Sequence, residues 1–149
     1  MSDKPYCEKE VIFLMDDEPQ YLIWLIEYLQ SKGYAVETAS TLADGLQKLR
    51  ERRYRAIVAD LSVPVPTEIR SLVEAEGNAY SVYPGLYLAH AARNMGYRSK
   101  QVVVYSVHDS ATVTEVAARI GVCYITKGRP KILKGEIDNI LSYDPTRDK

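Results

Sequence analysis

With 149 residues, 46% of them hydrophobic and 26% charged, and a formal net charge of −1, the chain suits one soluble domain with its own core and is short for two. A pI of about 6.1 and scattered basic residues, densest at Arg50, Arg52, Arg53 and Arg55, argue against nucleic acid as a partner, and that basic group reads as a solvated helix end. No apolar run approaches the roughly 18 residues of a membrane span, and the polar residues 1–10 lack a secretion-signal core, so the expected compartment is the cytoplasm, where Cys7 and Cys123, whose spacing suits neither metal nor redox chemistry, would stay thiols.

The apolar pattern changes period repeatedly along the chain. Short apolar runs at 11–15, 35–38, 56–59, 102–105 and 122–125 read as strands, and four of the five are nearly continuous in apolar residues, as in parallel strands covered on both faces. A first helix is expected over 19–32, with Pro19 in its first turn, Leu22, Ile23, Leu25, Ile26 and Leu29 inside, and a stop at Gly33. A second follows the cap Thr41 to about residue 52, and a third runs over about 86–95 to Gly96. A fourth follows Asp109-Ser110 with Val113, Val116, Ala117 and Ile120 facing inward, and a fifth carries Ile132, Leu133, Ile137, Ile140 and Leu141. The order is (βα)5: a doubly wound, five-stranded parallel sheet in a three-layer α/β sandwich, with right-handed crossovers and a core over about 9–142.

In such a sheet ligands bind beyond the carboxyl ends of the strands. The residues there form a coherent set: Asp16, Asp17 and Glu18 after the first strand, Asp60 after the third, Ser106 after the fourth, Thr126 and Lys127 after the fifth. Carboxylates converging on one small site repel one another by a few kcal/mol, so the arrangement makes sense around a cation. Hard oxygen donors point to Mg²⁺, which leaves room for phosphate oxygens. Phosphoryl transfer to a carboxylate then assigns Asp60 as nucleophile, Asp17 and, through water, Asp16 as metal holders, and Lys127 and Ser106 as groups on the phosphoryl oxygens. Taken singly, each of these residues has a plain structural use, as a capping acid, a turn serine or a surface lysine; their joint placement carries the reading.

These residues resemble the receiver domain of bacterial two-component response regulators over essentially the whole chain. Phe13-Leu14-Met15-Asp16-Asp17-Glu18-Pro19 is similar to the family's acidic metal-binding turn, and Ile57-Val58-Ala59-Asp60-Leu61-Ser62-Val63-Pro64 to its phosphoacceptor strand. Val104-Tyr105-Ser106 is similar to the hydroxyl-bearing strand end, and Tyr124-Ile125-Thr126-Lys127 to the aromatic and lysine motif. The resemblance implies a flavodoxin-like, CheY-like sandwich. It also implies phosphorylation on Asp60, Mg²⁺ on Asp16, Asp17, Asp60 and the backbone carbonyl of Ser62, and a switch made by Ser106 and Tyr124 that remodels the face of the fourth helix, fifth strand and fifth helix. Ser62 and His108 fall where the family tunes phosphoryl lifetime. The implied partners are a sensor histidine kinase or histidine phosphotransfer protein and a downstream protein target, with homodimerisation through the same face as a further expectation.

Two departures stand out. Gly128-Arg129-Pro130 follows the lysine where the family commonly has an immediate proline, and about 20 residues, 65–84, separate the third strand from the third helix where a few usually suffice. The first part of this insertion reads as a short helix over 67–76 capped at Thr67 and ending at Gly77; the second part, with Tyr80, Tyr83 and Pro84, reads as an irregular, partly buried return. The insertion is either a selectivity element for the partner kinase or an elaboration without a role. No effector segment follows the last helix, so output is expected to pass through a partner. The alternative is a pseudo-receiver, a phosphorylation-independent interaction module. An aspartate-nucleophile phosphatase fits less well, since those enzymes carry Asp-x-Asp after the first strand and this chain has Asp16-Asp17 adjacent.

Overall fold

The computed structural model describes residues 8–106, 110–126 and 130–142. Five strands, β1 (Glu8–Met15), β2 (Ala35–Ala39), β3 (Tyr54–Asp60), β4 (Val102–Ser106) and β5 (Cys123–Thr126), form one parallel sheet in the order β2-β1-β3-β4-β5. Side-chain alternation divides the core into two layers. Phe13, Met15, Ile57, Ala59, Val102 and Val104 pack on one face against helices α2 (Leu42–Glu51), α5 (Pro84–Asn94) and α6 (Ala111–Ile120). Ile12, Leu14, Ala56, Val58, Val103 and Tyr105 pack on the other against α1 (Ile23–Ser31) and α7 (Pro130–Ser142). The doubly wound α/β reading is thus the architecture found.

Local chemistry sets the element ends much as the sequence suggests. Thr41 Oγ1 accepts from the Asp44 amide at 3.2 Å and Ser110 Oγ accepts from the Val113 amide at 3.2 Å, capping α2 and α6. Thr41→Ala removes one such acceptor from an orphan amide and is expected to cost about 1 kcal/mol in chemical denaturation. Gly121 ends α6 at φ +78° in the left-handed region. The first helical segment is a 3-10 turn at Pro19–Leu22 that passes into α1 rather than one continuous α-helix.

Four expectations need correction. The second half of the insertion is helical, not irregular: after α3 (Thr67–Glu76) the chain turns at Gly77, φ +141°, into α4 (Asn78–Val82). That short helix is anchored by Tyr80, buried against Tyr87 with ring centroids 6.2 Å apart and against His90 at 5.6 Å. Thr67 does not cap α3; it is the first helical residue, after Pro66, whose side chain accepts nothing. The next helix begins at Pro84, whose fixed φ suits the first turn, and not at residue 86. Nor is the basic cluster simply solvated. Arg55 lies inside β3, is buried, and donates through Nη2 to the Leu141 carbonyl at the end of α7, where a cation complements the helix dipole. Arg53 lies 4.3 Å over the Tyr97 ring and donates to the Met95 carbonyl at 2.7 Å.

Candidate functional site

Parallel register brings the strand ends abreast. Met15 pairs with Ala59, so Asp16 and Asp60, the next residues, leave the sheet side by side; Asp60 pairs with Tyr105, and Ser106 with Thr126. Asp16, Asp17 and Asp60 each present an oxygen, and these three atoms lie within 4.8 Å of one another. Asp16 is 1% and Asp60 6% exposed, whereas Asp17 is exposed. Two local turns aim the buried pair: the Glu18 amide donates to Asp16 Oδ1 at 2.7 Å, and the Ser62 amide donates to Asp60 Oδ1 at 3.2 Å. Each is the side-chain-to-backbone bond by which an aspartate stabilises a turn two residues on.

Two nearly buried carboxylates and a third at their mouth make a hard-oxygen donor set in a site of low dielectric, which suits a divalent cation that retains part of its hydration. Asp16, Asp17 and Asp60 therefore fit Mg²⁺. Ser106 is buried at the end of β4, on the neighbouring strand. Tyr124 is half-buried and packs against the α2, α5 and α6 layer of the core. The Ser62 side chain is exposed. Lys127, His108 and the Gly128-Arg129 step lie outside the described residues.

One group at the site escapes sequence reading. Tyr105, fully buried, donates its hydroxyl to Asp16 Oδ2 at 2.5 Å. Burial first, then the Asp16 hydrogen bond and the Asp16, Asp60 and Asp17 charges, push its pKa well above the usual phenol value, so it remains a neutral donor. As the fourth member of an apolar run it reads as core. The available signal was phase: Tyr105, two residues after Val103, shares its face and so the face of Asp16 and Asp60, and a buried tyrosine hydroxyl needs a partner.

The inserted segment also reaches this edge. The start of α5 packs on the backbone of the acid itself: the Gly85 amide donates to the Leu61 carbonyl at 2.9 Å, and a Cβ on Gly85 would stand 2.3 Å from the Asp60 carbonyl oxygen. Beside it, a cavity of about 520 Å³ is lined by Ser62, Val65, Arg70, Val73 and Val82, so α3 and α4 form one wall of a cleft that begins two residues from Asp60. Leu72 and Val82 are exposed on these helices. No described helix is long and apolar enough to cross a membrane.

No protein-family model and no curated protein matches this sequence. Solved structures do match. The response regulator receiver domain protein (CheY-like) from Methanospirillum hungatei JF-1 aligns with a TM-score of 0.67 at 21% identity, covering 89% of this chain and 94% of that one. The BeF3-activated receiver domain of RstA from Klebsiella pneumoniae gives 0.67 at 16% identity, over 89% and 99% of the two chains. The response regulator protein TrrA from Thermotoga maritima, solved in complex with Mg(2+)-BeF, gives 0.63 at 20% identity, over 88% and 98%. This chain therefore has the fold of the CheY-like response-regulator receiver domain.

Proposed function

We propose that the chain is a phosphoacceptor of a two-component or phosphorelay system that takes a phosphoryl group on Asp60. The observation that supports this most is the convergence of Asp16, Asp17 and Asp60, from the ends of two adjacent strands, within 4.8 Å on the edge where parallel sheets bind ligands. Asp60 is the nucleophile. One of its carboxylate oxygens attacks phosphorus in line, an O–P bond forms, and the donor's P–O or P–N bond breaks with the electron pair leaving on the donor, which is protonated from solvent. Asp17, Asp60 and the Ser62 carbonyl, with Asp16 acting through a bound water, would hold Mg²⁺, which when bound spreads the negative charge gathering on the phosphoryl oxygens.

The Ser106 hydroxyl and Lys127 serve as donors to those oxygens. Ser106→Ala is expected to slow phosphoryl uptake about tenfold or more without preventing it, read as the initial rate of mass gain. The added charge draws Ser106 inward and Tyr124 follows, so that the face of α6, β5 and α7 changes for a downstream protein or a second copy of the chain. The phosphodonor partner is a sensor histidine kinase or histidine phosphotransfer protein, met in the cytoplasm, and the α3–α4 wall beside Ser62 acts as its selectivity element. Ser62 and His108 set how fast water removes the phosphoryl group, and His108→Ala is the variant that checks the second of these.

The test is intact mass after incubation with acetyl phosphate. A gain of one phosphoryl group that requires Mg²⁺ and disappears with EDTA supports the reading. No gain under either condition overturns it in favour of a phosphorylation-independent interaction module.

A further inference from the structure

We propose that Tyr105 is a positioning residue that sets the cation preference of the acidic site, by keeping Asp16 from entering the coordination shell directly; this rests on the metal-dependent reading above. Its ring is fully buried between the sheet and the α1 and α7 layer. From β4 it reaches beyond β3, which lies between β4 and β1, to place its hydroxyl 2.5 Å from Asp16 Oδ2. The other oxygen, Oδ1, accepts from the Glu18 amide at 2.7 Å. Asp16, itself 1% exposed, is therefore held by a hydrogen bond on each oxygen, one from its own turn and one from a strand two places away in the sheet.

A carboxylate held in this way keeps lone pairs that accept from a metal-bound water, while its freedom to rotate into bidentate coordination is lost. That distinction separates cations. Mg²⁺ surrenders its waters reluctantly and demands octahedral geometry, so it is served by an acceptor placed for its hydration shell. Ca²⁺ dehydrates easily and takes 6–8 oxygens, bidentate carboxylates among them. Such outer contacts are known to tune the metal through the orientation of the groups around it. Here the donor comes from β4, the strand that also carries Ser106, so the residue that fixes Asp16 and the hydroxyl at the phosphoryl position are neighbours in sequence.

Tyr105→Phe keeps the ring and deletes only the hydroxyl. Dissociation constants for Mg²⁺ and for Ca²⁺ are measured by calorimetric titration of the full-length wild type and variant. The expected result is a preference for Mg²⁺ in the wild type that falls by about tenfold in Tyr105→Phe, the scale of one hydrogen bond to a charged group. In an Asp16→Asn background the same substitution is expected to leave the preference unchanged, because the carboxylate on which it acts is gone. An unchanged preference in Tyr105→Phe, with Mg²⁺ still bound by both proteins, overturns the role of Tyr105 and leaves the metal site standing. A shift that persists in the Asp16→Asn background also overturns it, since the effect would then bypass Asp16. Failure of the wild type to bind either ion overturns both this proposal and the metal-dependent reading beneath it.

Discussion

Gly85→Ala is expected to destabilise the protein by about 3 kcal/mol and to slow phosphoryl uptake on Asp60, although it adds a single methyl group 25 residues away in sequence. The added carbon would sit 2.3 Å from the Asp60 carbonyl oxygen and 2.7 Å from Leu61 Cα. Both neighbours are backbone atoms at the end of a central strand and cannot turn aside as a flexible side chain would. Relief requires α5 to lift away, which strains the 2.9 Å bond from the Gly85 amide to the Leu61 carbonyl, or Asp60 to shift out of line with Asp16. Gly135→Ala in α7 is the matched control. A Cβ there meets nothing within 4 Å, so the higher helix propensity of alanine is expected to stabilise by up to about 1 kcal/mol. Urea denaturation of the two variants reads the difference, and equal stabilities would show that the contact between α5 and the Asp60 backbone carries no weight.

Asp60→Asn is expected to abolish phosphoryl uptake and, in the absence of divalent cation, to raise the unfolding midpoint. Three carboxylates presenting oxygens within 4.8 Å of one another repel by up to a few kcal/mol per pair at the effective dielectric of a partly buried site. Neutralising one removes two of the three repulsions and leaves the turn bond from the Ser62 amide to Oδ1 available to the amide oxygen. The sign reverses with Mg²⁺. A cation at 100 times its dissociation constant stabilises the wild type by about 2.7 kcal/mol, and the variant, with a weaker donor set, gains less. Thermal melts with and without Mg²⁺ check this: a variant less stable than wild type without metal would mean that the acids do not repel one another as their spacing implies.

Much of this site was legible because polar residues interrupt apolar runs abruptly. Asp16 follows Met15, Asp60 follows Ala59 and Ser106 follows Tyr105, and in a parallel sheet with aligned ends those breaks fall on one edge. The fold was legible because short continuous apolar runs such as 56–59 take turns with longer stretches of helical spacing such as 113–120. What escaped depends on partners remote in sequence. Asn78-Ala79-Tyr80-Ser81-Val82 is too short to show a period and holds no strong helix signal; burial of Tyr80 against α5 makes it a helix. Arg55 follows a run of charged residues and reads as surface, yet the end of α7, 86 residues on, receives it. Tyr105 is apolar by composition and polar by contact, because its partner Asp16 is 89 residues away.

In the proposed function Asp60 itself accepts the phosphoryl group. The most direct measurement treats the acetyl phosphate-modified protein with borohydride, which reduces an aspartyl phosphate to homoserine, and then maps the peptides by mass spectrometry. Homoserine at position 60 in the Mg²⁺-treated wild type, with every other aspartate intact, is the predicted result. A phosphorylated protein in which Asp60 survives reduction and another residue bears the modification would contradict it.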